Sequence, residues 1–180
     1  QRNRRLWQLL NGGLLKNQMT ILHFSPSRSL YRKLKKGPYL YESTDISGDF
    51  LADRTYDIKN IDTLNETYDL IICYHILEHI DEALKAIREL FRVLRKGGSC
   101  IIQTPFKDGE IYENKLIVTP EERERHFGQN DHVRIYSVEG LQQRLEQVGF
   151  QVAVRTLREE TDHFNGFDEC ETVLVCSKQN

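Results

Sequence analysis

Long apolar runs are missing from this 180-residue chain: none approaches the roughly 20 residues that a membrane span requires. No stretch joins a basic start to an apolar centre, as a secretory leader does. These absences point to a soluble, cytoplasmic protein with no membrane partner. Cysteine is sparse as well. Cys73, Cys100, Cys170 and Cys176 show no CxxC spacing and three of them sit in apolar, strand-like runs. They read as buried thiols in a reducing compartment, with no disulfide frame and no metal site. An excess of one charge is also lacking, since 25 basic against 27 acidic residues leave a net charge of −2. That balance gives no global reason to expect nucleic acid as a partner. Locally it is uneven: residues 1–41 hold nine Lys or Arg and no acid, whereas residues 42–81 hold ten acids and two bases. Two readings fit this: two solvated faces of opposite sign, or an anion-attracting lead segment beside an acidic, hydroxyl-binding middle. Nothing repeats and no linker divides the chain, so it reads as a helical lead segment over 1–19 followed by one domain over 20–180. It starts at Gln1 without a methionine and reads as a fragment.

The most organised stretch runs from Tyr68 to Pro105. Leu70 to Tyr74 is short and continuously apolar, which suits a strand covered on both faces. Asp81 offers a carboxylate to a helix start, and Leu84, Ile87, Leu90, Phe91 and Leu94 follow at helical spacing. Arg95 and Lys96 suit the negative end of that helix, and Gly97-Gly98 is expected to stop it. Cys100 to Thr104 is a second short apolar strand closed by Pro105. A strand, a helix and a strand imply two parallel strands, and ligands of such sheets lie beyond the strands' carboxyl ends. Tyr74, His75 and the Thr104-Pro105-Phe106 edge therefore face the expected pocket.

Upstream, Leu6, Trp7, Leu10 and Leu14 share one side of a helix loosened by Gly12 and Gly13. Thr20 to Phe24 reads as the first strand, Ser29 to Lys35 as a helix ended by Gly37-Pro38, and Tyr39 to Ser43 as the second strand. Asp45, at the tip of that strand, lies about 20 residues past the first turn, the offset at which a dinucleotide-type fold places its ribose-binding acid. An acid there also suits a turn or a cap. The expected architecture is thus a three-layer, Rossmann-like, doubly wound α/β domain with a mostly parallel sheet.

Asp69-Leu-Ile-Ile-Cys-Tyr-His-Ile-Leu-Glu-His-Ile80, followed by Leu90-Phe-Arg-Val-Leu-Arg-Lys-Gly-Gly98, resembles the central segment of the class I S-adenosylmethionine-dependent methyltransferases. The resemblance covers roughly Thr20 to Lys178. It implies S-adenosyl-L-methionine as cofactor and an antiparallel last strand. It also implies Asp45, with its neighbour Ile46, at the ribose and Asp57-Ile58 at the adenine. Cys73, Tyr74 and His75 would run along the donor's edge, and His23, Phe24, Ser25 and Pro26 would sit at its methionine part. That first turn departs from the family's usual pattern, which places three glycines there so that backbone can approach the donor. His23-Phe-Ser-Pro-Ser-Arg-Ser29 contains none, and it is similar to a variant of the His-Phe-Ala-Pro-Glu type. The same lack of a GxGxxG run argues against a nicotinamide-dependent oxidoreductase. It leaves as the main alternative a methyltransferase-like binding or scaffold module without catalysis.

Phe106 to Glu124 reads as a surface excursion over the pocket. Arg125-His-Phe-Gly-Gln-Asn-Asp-His-Val-Arg134 then gathers His126, His132, Asp131 and two arginines within ten residues. With His126 and His132 six apart and no second pair, the run does not suggest zinc. Two readings stand beside each other: a loop tied down by its own polar groups, or acid–base chemistry, since imidazole titrates near neutral pH. Similar methyltransferases carry a nearly identical run beside the donor's methyl group, and His126 and His132 are the proton acceptors this implies. His79, just before the central helix, reads as a structural ring. Val138 to Val148 is a helix ended by Gly149, and Phe150 to Arg155 and Thr172 to Cys176 are the last strands, with a long loop over Glu159 to Glu171 between them. The expected activity is methyl transfer to an unidentified acceptor, a small molecule or a saccharide-type compound, on oxygen or nitrogen.

Overall fold

The computed structural model describes residues 2–158 and 170–179. Eight strands and five α-helices are described, in the order α1 (Arg2–Leu9), β1 (Thr20–Phe24), α2 (Arg28–Lys35), β2 (Leu40–Thr44), β3 (Tyr68–Tyr74), α3 (Ala83–Val93), β4 (Leu94–Gln103), β5 (Tyr112–Glu113), α4 (Pro120–Phe127), β6 (Arg134–Ile135), α5 (Val138–Val148), β7 (Gln151–Arg158) and β8 (Cys170–Ser177). Six strands form one sheet in the order β2-β1-β3-β4-β8-β7, and β5 pairs with β6 in a small ribbon. β1 to β4 pair in parallel, whereas β8 runs antiparallel to both β4 and β7. The expected mostly parallel sheet with an antiparallel last strand is what forms.

Strand alternation divides the interior in two. On one face Ile21, Leu70, Ile72 and Ile101 meet Leu30 and Leu34 of α2 and Leu6 of α1 with Leu10 just beyond it. On the other face Leu22, Ile71, Cys73, Cys100 and Ile102 meet Ile87 and Leu90 of α3 and Leu141 and Leu145 of α5. Burial on both faces explains why the strands read as continuous apolar runs. Cys73, Cys100 and Cys176 are free buried thiols, as expected, and Cys170 is free and exposed. No helix among the described residues is long and apolar enough to cross a membrane.

Three local expectations are corrected. Helix α3 ends at Val93, before Gly97-Gly98, and those glycines lie inside β4. Their role is in the sheet: pairing jumps from Tyr68–Leu94 to Leu70–Ser99, and Gly97 adopts a φ of +73° within the resulting bulge. Gly98 then passes so close to its neighbours that a Cβ would lie 2.8 Å from the Arg95 carbonyl oxygen and 3.0 Å from that of Asp69. Both contacts are backbone and cannot swing away, so Gly98→Ala is expected to destabilise the domain by about 1–3 kcal/mol in urea unfolding. Second, the N-terminal helix stops at Leu9 and gives way to a π-type turn over Leu10–Leu14, where Gly13 takes a φ of +125°. Third, the excursion after Pro105 contains α4. Thr119 and Glu122 form a reciprocal capping box around Pro120, and Gly128 closes the helix in a left-handed conformation. Residues 159–169 of the expected long loop lie outside the described residues.

Candidate active site

β1 lies between β2 and β3, and chain order reverses across it, with α2 on one face and α3 on the other. A crevice is expected beyond the carboxyl ends at such a point, and a cleft of about 680 Å³ opens there. Its volume falls within the roughly 300–1,000 Å³ typical of small-molecule sites.

The glycine-free first turn forms one wall and leaves the cleft open. His23, Phe24 and Ser25 line it, while Pro26 is buried and the exposed Arg28 is not among the lining residues. Ser25 adopts a φ of +45°, the left-handed region that glycine enters freely and other residues at a cost of about 1–2 kcal/mol. Two hydrogen bonds to the end of β2 hold it there: its N–H donates to the Thr44 carbonyl at 2.8 Å and its Oγ to Asp45 Oδ1 at 2.7 Å. The turn keeps a glycine-like backbone with a serine side chain. His23 is buried, with Nδ1 3.1 Å from the Tyr41 hydroxyl, and burial pushes its pKa down to about 3. The ring is therefore neutral at neutral pH.

Asp45 is the centre of the polar wall. Besides Ser25, its carboxylate accepts from Ser47 Oγ at 2.8 Å and the Gly48 N–H at 2.7 Å. Burial works to raise its pKa, but these hydrogen bonds outweigh burial and hold it below the ordinary carboxylate value. The result is a fixed, ionised acid whose position is set by both strand ends. Ile46 lines the same wall and is largely exposed. Farther along, Asp57 and Ile58 line the cleft, and Asp57 Oδ1 also accepts the Lys59 N–H at 2.8 Å in a local turn.

The third wall comes from β3. Tyr74 and His75 line the cleft, whereas Cys73 is turned into the core and burial raises its thiol pKa. His75 has a φ of +53°, and its Nδ1 lies 3.3 Å from Glu78 Oε1. Such backbone strain collects at working sites. The polar run after α4 is split by the fold. His126 is exposed, its ring bonded to the Tyr112 hydroxyl at 2.7 Å, and it does not line the cleft. His132 is buried behind His79, with ring centroids 4.7 Å apart. His79, read from the sequence as a structural ring, and Asp131 of the polar run do line the cleft, and they lie 3.1 Å apart. Fifty-two positions separate them, so no local pattern could join them. The usable signal was the capping box at Thr119, which starts the helix that delivers this run.

The profile of the methyltransferase domain family matches residues 8–154. The chain belongs to the methyltransferase domain family. A tRNA U34 carboxymethyltransferase of Sulfurovum sp. (strain NBC37-1) is 25% identical over 103 residues, 57% of this chain and 31% of that relative. The chain thus spans about a third of that relative's length. Among solved structures, Haemonchus contortus phosphoethanolamine N-methyltransferase 2, in complex with S-adenosyl-L-methionine, superposes with a TM-score of 0.69 at 14% identity, over 99% of this chain and 53% of that one. A S-adenosylmethionine-dependent methyltransferase of Archaeoglobus fulgidus gives 0.68 at 12%, over 98% and 94%. At these identities the superpositions establish the fold. For a methyltransferase domain the crevice beyond β1, β2 and β3 is the natural place for the chemistry, by the general rule for open α/β sheets.

Proposed function

We propose that this domain binds S-adenosylmethionine in the cleft beyond β1, β2 and β3 and transfers its methyl group to an oxygen or nitrogen of a small-molecule or saccharide-type acceptor. One observation carries the reading: Asp45 stands ionised at the end of β2, on the rim of an open cleft, hydrogen-bonded to a first turn that keeps a left-handed backbone without glycine. Asp45 takes the ribose hydroxyls, with Ile46 beside it. Asp57 receives the adenine amino group while Ile58 packs on the ring. His23 to Pro26 shape the methionine end, and Cys73 to His75 support the donor's edge, with Cys73 contributing from within the core. A neutral His23 leaves the sulfonium without a like charge on that wall.

The sulfonium supplies the reactivity, because its sulfur leaves as a neutral thioether. The protein's task is then to hold a nucleophile in line with the methyl carbon. Beyond Tyr74 the cleft is walled by His75, His79 and Asp131, and His132 stands behind His79. An acceptor entering there meets imidazoles able to take its proton. His126, outside the cleft, is the less well placed of the two expected proton acceptors. Isothermal titration of the protein with S-adenosylhomocysteine is expected to show saturable one-to-one heat. Absence of heat and of any thermal shift at millimolar ligand would favour a scaffold that does not bind the donor.

A further inference from the structure

We infer that Glu78, His79 and His132 form a binding site for a divalent first-row transition cation, placed to hold an oxygen of the methyl acceptor. A carboxylate oxygen of Glu78 and one ring nitrogen from each histidine lie within 4.8 Å of one another. Two imidazoles and one carboxylate are a donor set suited to zinc and its neighbours, with positions left over for a substrate. Metal–ligand bonds of about 2.0–2.2 Å need these atoms to close in slightly, which rotation of the partly exposed His79 ring permits.

Glu78 is the observation that points to an ion. Its side chain is 1% exposed, and among the described residues no arginine or lysine forms an ion pair with it. Oε1 reaches His75 Nδ1 at 3.3 Å, whereas Oε2 is buried with no hydrogen-bond partner among the described residues. A buried carboxylate oxygen without a partner is costly, and a cation relieves that cost directly. The histidines are oriented as ligands usually are, through their second ring atoms. His79 Nδ1 lies 3.1 Å from Asp131 Oδ2, and the His132 ring hydrogen-bonds the backbone of Phe127. A ring that donates one N–H to such a partner presents the lone pair of the other nitrogen.

The surrounding backbone is braced before any ion arrives. The Val133 N–H donates to the Glu78 carbonyl at 2.9 Å. The Arg134 guanidinium donates to the carbonyls of Leu77, Ile80 and Asp81, and ion-pairs with Glu113. These bonds clamp the turn carrying Glu78 and His79 onto the segment carrying His132. The site opens to the cleft through His79 and Asp131, next to His75. Deepening the methyl-transfer reading on which it rests, this location makes His79 and His132 ion ligands in place of proton acceptors and assigns the acceptor as a hydroxyl compound. Its oxygen binds the ion and gives its proton to solvent water. It then forms the new C–O bond as the methyl–sulfur bond breaks with its electron pair staying on sulfur.

The test uses chelator-stripped protein and Co²⁺, whose visible d–d bands report nitrogen and oxygen ligation, alongside calorimetry with Zn²⁺. Wild type is expected to bind one ion per chain with cobalt bands. His132→Ala is expected to lose the bands, and Asp131→Asn, a change at an exposed side chain, to weaken zinc about 10- to 100-fold. A cooperative melting transition shows that each variant is folded. No cobalt bands in wild type, or unchanged zinc affinity in both variants, overturns the site. Binding of S-adenosylhomocysteine to the stripped protein is measured in parallel, so loss of the ion site and loss of the donor site give different results.

Discussion

Asp45→Ala is expected to weaken binding of S-adenosylmethionine roughly 10- to 150-fold, the equivalent of about 1.5–3 kcal/mol for charge-assisted hydrogen bonds. The direct loss is the ionised acceptor for the ribose hydroxyls. A second loss follows, because the same carboxylate holds Ser25 Oγ at 2.7 Å and the Gly48 N–H at 2.7 Å. Without it the strained Ser25 loses a restraint, and the first turn relaxes away from the shape that keeps the cleft open. Asp45→Asn, which keeps the shape but not the charge, should fall between alanine and wild type. Calorimetry with the donor and circular dichroism on all three proteins separates affinity from folding. Equal affinity across the three would remove Asp45 from the donor site.

Acid is expected to weaken the fold well before the carboxylates titrate. His23 is buried and its pKa is pushed down to about 3, whereas in the unfolded chain it titrates near the ordinary histidine value of 6.5. Between those values the unfolded state binds a proton that the folded state refuses, so stability is complete above pH 6.5 and falls as pH drops toward 3. The slope approaches about 1.4 kcal/mol per pH unit, or about 2–3 kcal/mol between pH 7 and pH 4.5. His132 adds a loss of the same sign, since burial and the neighbouring His79 lower its pKa too. Urea unfolding at several pH values, on wild type and on His23→Gln, checks this. The glutamine variant should show a flatter dependence between pH 6.5 and 5. An identical slope in both proteins would show that His23 is not the group responsible.

Much of the architecture was legible because its signals are local. Leu70 to Tyr74 read as a strand covered on both faces and Cys100 to Thr104 as a second apolar strand, and Leu70 to Cys73 and Cys100 to Ile102 are buried in the central sheet. The reading failed where one residue type serves two geometries. Gly97-Gly98 looked like a helix stop, yet the helix had already ended at Val93, and close approach to Asp69 across the sheet is what requires Gly98. Helix α4 was overlooked although Thr119, Pro120 and Glu122 spell its start, because the charges around them suggested a loop. The absence of glycine after β1 suggested an altered donor turn. The backbone there is nevertheless left-handed, since hydrogen bonds to β2 supply what the residue type does not.

By itself the order of residues determined the central strands, their two-sided burial and the acid at the tip of β2, because periodicity and strand-end position depend only on near neighbours. Only the tertiary structure decided the partnership of Glu78, His79, Asp131 and His132, and the fate of the His126–His132 pair. Residues more than fifty positions apart meet through the clamp that Arg134 and Val133 place on the turn after β3, and no pattern within one segment encodes which distant carbonyls a guanidinium will reach.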